Sequence, residues 1–201
     1  MRTQYICAPG YGQRGVTMLE VLITLVILAF GLLGLAGLQG RMQVAEFEAY
    51  QRTQAIVLLQ EMVDRIKANP KNSLSYAAAG VTTTKGTGNA LQDCAAGTPT
   101  QAEIDLCEWN NALLGAAEKS GGQSLGAMIG ARGCVKNEKA DMPREFLVSV
   151  VWQGLASTKE PASTDCGSGS YDPVETRRAL VARVTIPCLQ NVAGSTACVT
   201  P

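Results

Sequence analysis

Hydrophobicity changes its period several times along this chain. From Val21 to Leu38 the sequence is an apolar run without one ionisable residue, and the carboxylate of Glu20 stands at its mouth. About 20 apolar residues cross a bilayer as a helix, so this run with its flanks predicts a membrane-length segment. Beyond it the pattern becomes amphipathic: Leu59, Met62, Val63 and Ile66 recur at the i, i+3, i+4, i+7 spacing of one helix face. Glu48 with Arg52 and Glu61 with Arg65 stand four apart in the favourable order for ion pairs along a helix. Pro70 disfavours helical geometry at Asn69 and marks the end. The predicted helix over 17–68 is roughly 80 Å long at 1.5 Å per residue, its first half suited to lipid and its second half to the face of a domain.

Residues 70–100 are rich in Ala, Gly, Thr, Ser and Asn and read as a long loop with room for one short strand. Thr100 followed by Glu103 has the form of a capping box and opens a second helix, predicted over Gln101–Lys119 and stopped by Gly121 and Gly122. On it Leu106, Trp109 and Leu113 share a face, which assigns Trp109 to the core. Three strands follow. The first, Leu125–Val135, is broken by glycines; in the second, Phe146, Val148, Val150 and Trp152 alternate onto one face, and Leu180, Ala182, Val184 and Ile186 do so in the third. Residues 154–173 read as a polar loop, and 188–198 as a tail closing on itself. Alternating strand faces need cover, and the second half of the long helix offers it. The fold class is α+β: a long N-terminal helix on a small antiparallel sheet, with an additional helix.

Charge excludes one class of function. The 201 residues carry 17 basic and 17 acidic side chains. Loss of the first 15 residues, which hold Arg2 and Arg14, leaves 15 basic against 17 acidic, with no basic footprint for nucleic acid. Seven cysteines stand at 7, 94, 107, 134, 166, 188 and 198; without Cys7 six remain, an even set that fits up to three disulfides in an oxidising compartment. No Cys-x-x-Cys spacing and no histidine occur, so a structural zinc site is not expected. Six cysteines permit 15 full pairings; sequence neighbours favour Cys188 with Cys198 and Cys94 with Cys107, leaving Cys134 with Cys166.

Gly15-Val16-Thr17-Met18-Leu19-Glu20 before an apolar run resembles the type III signal of the type IV pilin superfamily. An ordinary secretory signal discards its apolar core, whereas here the cut precedes the core and the core is kept. Arg2 and Arg14 place the leader on the cytoplasmic side. The resemblance implies that a prepilin peptidase cuts after Gly15 and methylates the new amine of Val16, with Val16 standing where phenylalanine is usual. It implies that Glu20 acts in subunit assembly. Gly31, Gly34, Gly37 and Gly40 lie where many pilins have a helix-breaking proline, and two readings stand side by side: they soften the helix in its place, each costing about 1 kcal/mol of helix stability relative to alanine, or they are simply tolerated in a membrane helix.

The stretch Gly31-Leu32-Leu33-Gly34-Leu35-Ala36-Gly37-Leu38-Gln39 and the Trp109 helix before a Gly-rich turn resemble the minor pilin family called PilV. That resemblance implies a leader over 1–15, a helix over 16–69 with its transmembrane half at about 16–40, and an extracytoplasmic pilin-like domain over 70–201. It implies residence in the inner membrane with the domain periplasmic, then in the pilus at the cell surface. The implied partners are the prepilin peptidase, the inner-membrane assembly machinery, and other major and minor pilins met through the N-terminal helix. No cofactor, metal or nucleic acid is expected.

Chemistry is sparse. Without histidine there is no Ser-His-Asp or Cys-His arrangement, and no phosphate-binding loop sequence occurs. Asp93, Glu103, Asp105 and Glu108 read as a solvated helix face with favourable charges in the first turn. A structural role as a minor pilin of type IV pili is the leading reading. The alternatives are a type II secretion pseudopilin and an adhesin module of the pilus; an enzyme is not expected.

Overall fold

The structure is a computed structural model that describes residues 15–116, 119–120, 123–124, 128–188, 190–191 and 198–199. The chain divides into two compact units, one up to Ala45 and one from Glu46 onward. One helix, α1 (Met18–Ala68), contributes to both. Its side chains in the first unit are exposed, and its most apolar 18-residue stretch has no residue buried. By length and composition this helix can cross a membrane.

In the second unit α1 buries Gln51, Ala55, Leu58, Leu59, Met62, Val63 and Ile66, the face that the spacing predicts with three additions toward its N-terminal side. The helix stops two residues before Pro70, which removes an N–H donor and bars helical geometry from Asn69. Helix α2 (Gln101–Leu113) opens on the predicted capping box: Thr100 accepts from the Glu103 backbone N–H, and the Glu103 carboxylate accepts from the Thr100 N–H at 2.7 Å. That bond and the one from the Thr100 hydroxyl hold the Glu103 carboxyl below its ordinary range. The helix ends at Leu113 and not at Lys119, because Gly115 takes up a left-handed φ of 74° that turns the chain away. The expected stop at Gly121 and Gly122 lies outside the described residues.

The main sheet has four strands in the order β1-β4-β5-β6, all antiparallel: β1 (Thr82–Gly86), β4 (Arg132–Lys139), β5 (Arg144–Gln153) and β6 (Arg177–Ile186). Two short ladders accompany it, β2 (Lys119–Ser120) with β3 (Gln123–Ser124) and β7 (Gln190–Asn191) with β8 (Cys198–Val199). The short strand read in the 70–100 stretch is present as β1, an edge of the main sheet. Two expectations are corrected here. The strand expected over Leu125–Val135 runs Arg132–Lys139, because Gly130 makes a turn at φ 61° just before it. The last strand begins at Arg177, three residues before the alternation is visible.

Phe146, Val148, Val150 and Trp152 of β5 face α1 in the main core with Trp109, Leu113, Val135 and Val184. The opposite face is also closed: Val151 packs with Tyr171 and the Cys134 and Cys166 sulfurs, and Ser149 is buried against Thr164. The segment between β5 and β6 forms that second layer, and three ties hold it. Cys134 is bonded to Cys166 with Cα atoms 5.9 Å apart. The buried Arg177 donates to the carbonyls of Pro161, Thr164 and Cys166 and pairs with Glu160 at 3.0 Å. Tyr171 donates its hydroxyl to the Gly130 carbonyl at 2.8 Å.

Glu48 also serves this segment. It accepts from the N–H groups of Leu155 and Ala156 and pairs with Arg178 at 3.3 Å, so the expected pairing along the helix with Arg52 is replaced by a tertiary one. A second disulfide, Cys94 to Cys107 with Cα atoms 5.6 Å apart, fixes the loop before α2 onto that helix. Cys188 is itself disulfide-bonded, while the side chain of Cys198, its expected partner, lies outside the described residues.

The Cys134–Cys166 bridge closes a loop of 32 residues across two layers. Its removal by Cys134→Ser with Cys166→Ser is expected to lower stability by about 2 to 5 kcal/mol, as is usual for small secreted domains. Thermal unfolding of the double variant checks this, and an unchanged midpoint would show that Arg177 and Tyr171 hold the layer by themselves.

Candidate functional site: the amino-terminal segment and its anchoring domain

The processing and assembly residues expected from the sequence lie at the start of α1. Gly15, Val16 and Thr17 precede the helix without regular structure, and all three are exposed. Among the described residues, its chain neighbours aside, no atom comes within 4 Å of the place a Cβ would occupy on Gly15. The Glu20 N–H donates to the Thr17 carbonyl at 3.0 Å and to the Thr17 Oγ1 at 3.3 Å, so Thr17 acts as the helix N-cap. Thr17-x-x-Glu20 is therefore the same cap spacing as Thr100-x-x-Glu103, a feature of the sequence that membrane hydropathy had hidden.

Capping fixes Glu20 in the first turn, where the positive end of the helix dipole favours a carboxylate. Unlike Glu103, Glu20 does not turn back to its cap, and among the described residues its carboxylate has no hydrogen-bond or ion-pair partner. An exposed Gly15-Val16 link without regular structure, followed at once by a capped helix, suits a cut at that link, and an unengaged carboxylate suits an intermolecular partner.

The four glycines lie inside an unbroken helix, and a Cβ on any of them would meet nothing within 4 Å. Gly34 and Gly37 open a shallow groove on the face that carries Leu38 and Arg41.

In the second unit the ionisable groups converge on Arg65. Its guanidinium pairs with Glu61 at 2.7 Å, Asp105 at 2.8 Å and Glu108 at 2.7 Å. Asp105 is buried and also accepts from Gln101 at 2.9 Å and from the Tyr76 hydroxyl, which reaches the Arg65 carbonyl as well. This corrects the reading of Asp105 as part of a solvated face. The i, i+4 partner of Arg65 is visible in sequence; that Asp105 is 40 residues away and turned inward is not. Burial alone lowers the Arg65 guanidinium, but the bonds to Glu61, Asp105 and Glu108 outweigh it and hold the group above its ordinary value. The cluster is a clamp joining α1, the turn at Ser73–Ser75 and α2. Among the described residues no three His, Cys, Asp or Glu side chains are placed to hold a metal ion.

Burial and the bond to Asp105 push the Tyr76 phenol above its ordinary value. A raised folded value means that the stability it gives is full below the unfolded value of about 10 and is lost as pH rises through the folded one. The domain is therefore expected to weaken above about pH 10, and Tyr76→Phe to flatten that decline. Denaturant midpoints between pH 8 and 11.5 test it; an equal slope in both proteins would contradict it.

A long apolar helix packed in its second half on a four-stranded antiparallel sheet beside a second helix is a pilin-like α+β architecture. Residues 37–111 match the family described as Tt1218-like, type IV pilin Tt1218, and residues 11–36 match the prokaryotic N-terminal methylation motif. These two adjoining matches support a type IV pilin. No curated protein and no solved structure matches the chain.

Proposed function

We propose that the chain is a minor pilin of the PilV type, made with a leader over 1–15, cut after Gly15 and N-methylated at Val16. One observation carries the reading: an exposed Gly15-Val16 link, an unengaged Glu20 and a membrane-length apolar helix precede, in one chain, a disulfide-bonded pilin-like domain. Before assembly the helix over about 16–40 holds the protein in the inner membrane with residues 70–201 in the periplasm. Afterwards the same helix packs among other pilins in the fibre, with Gly31, Gly34, Gly37 and Gly40 letting it unwind there. The chain acts as a structural subunit that primes, joins or modifies the pilus, handled by the prepilin peptidase and the inner-membrane assembly machinery.

Mass spectrometry of the membrane-extracted protein tests the processing. A chain beginning at methylated Val16 is expected, and Gly15→Val is expected to leave residue 1 in place. An intact leader on the wild-type membrane protein would overturn the reading. Recovery in sheared surface fibres separates a pilus subunit from a secretion pseudopilin.

A further inference from the structure

The two edges of the main sheet are treated differently. The Thr87 N–H bonds the Ala131 carbonyl at 2.7 Å, so in β1 the odd-numbered residues bond β4 and the even-numbered ones turn outward. That outer side is closed at Gly86, whose N–H is taken by the Asn110 side chain of α2 at 2.9 Å. At the other edge the Gly154 N–H bonds the Thr176 carbonyl at 2.8 Å, which sets the phase of the β5–β6 ladder: even-numbered residues of β6 bond β5. Ala179, Val181, Arg183 and Thr185 therefore direct their N–H and C=O groups away from the sheet. Among the described residues nothing is hydrogen-bonded to them there. A ten-residue strand whose outer groups have no partner among the described residues is a template for another strand.

A groove of about 420 Å³ runs beside this edge, between Glu48 and Arg52 of α1 and Arg178 and Leu180 of β6, with Trp152 at its base. Three arginines flank edge and groove. Arg178 is matched by Glu48 and Arg183 by Glu138 at 2.5 Å, but Arg52 has no ion-pair partner among the described residues. The surface is one carboxylate short.

We propose that β6 is a strand-addition site that takes an extended segment of a different pilin subunit, one whose alternate side chains place a carboxylate at Arg52 and an apolar group over Leu180. Main-chain bonds to Ala179, Val181, Arg183 and Thr185 supply the affinity, and the groove supplies the selection. A second copy of this chain fits poorly: its β6 edge brings the same arginines against these, and its β1 edge has only five residues and is closed at Gly86 by Asn110. The identity of the partner as a pilin rests on the function proposed above, whereas the edge and its charge do not.

The test uses the full-length protein in its native membranes, with the photo-crosslinking residue benzoylphenylalanine in place of Arg183. Crosslinks to one extended, carboxylate-bearing segment of another pilin are expected. Val181→Pro removes an outward N–H while leaving the ladder to β5 intact, and should reduce the crosslink at least tenfold. Arg52→Glu, a surface change, should do the same if the proline variant fails to fold. Scattered crosslinks, a crosslink to a second copy, or a yield unchanged by Arg52→Glu would overturn the proposal. A single strand from a protein that is not a pilin would overturn the stated partner; processing at Val16 is read separately, so either reading can fail without the other.

Discussion

Glu20→Ala is expected to leave leader removal, membrane insertion and the domain intact while the amount of protein in sheared fibres falls by at least tenfold. Thr17 caps the helix through its own oxygen atoms and the Glu20 backbone N–H, neither of which the substitution removes. The domain core begins at Ala55, far along the chain from Glu20. What is lost is the carboxylate alone. Cleavage after Gly15 would create an amine at Val16, four residues before it, so Glu20 can pair with its own amine or with that of the subunit on which it docks. In a medium of low dielectric constant an uncompensated charge costs several kcal/mol, and about 1.4 kcal/mol already corresponds to a tenfold change in an equilibrium. Glu20→Asp, with a shorter reach, should fall between. Quantitative immunoblots of sheared fibres against whole membranes give the answer, and normal incorporation of Glu20→Ala would reduce α1 to a plain anchor.

Gly133→Ala is expected to damage the domain severely with a single methyl group. A Cβ at this position would stand 2.3 to 2.7 Å from three carbons of the Trp109 indole. Trp109 is fully buried and donates its Nε1–H to the Leu58 carbonyl of α1 at 2.9 Å, so the ring cannot withdraw without giving up that bond. Overpacking of this kind costs about 1 to 3 kcal/mol, and a buried donor left unmade about 1 to 3 more. Against a total of about 5 to 15 kcal/mol for a domain, that is a large fraction. Thermal unfolding of the full-length protein in detergent, followed by the near-ultraviolet signal of its tryptophans, measures it. Shortening the ring with Trp109→Leu in the Gly133→Ala background should recover part of the loss. A Gly133→Ala protein as stable as the parent would mean that the sheet and α2 are not held at this contact.

The local features of this protein are written in its sequence. The apolar run, the end of α1 before Pro70, the capping box at Thr100 and Glu103, the inward face of Trp109 and the alternation in β5 each depend on neighbours within a few residues. Propensity, periodicity and hydrogen-bond geometry act over that range. The cap at Thr17 belongs with them, although a hydrophobic run beside it draws attention away from two polar side chains. Tertiary structure alone decided the rest. Glu48 has Arg52 one turn away and yet pairs with Arg178, 130 residues on, because the segment after β5 also presents the N–H groups of Leu155 and Ala156 to the same oxygen. Asp105 looks like a surface carboxylate until α1 brings Arg65 and the turn at Ser73–Ser75 brings Tyr76. Residues 154–173 look like a solvated loop, since their covering role rests on one disulfide, one buried arginine and the Tyr171 hydroxyl and on no apolar period. Period reports which face of a local element is wet, but the partners of a charge and the cover of a second face depend on chain closure over tens of residues, which no local pattern records.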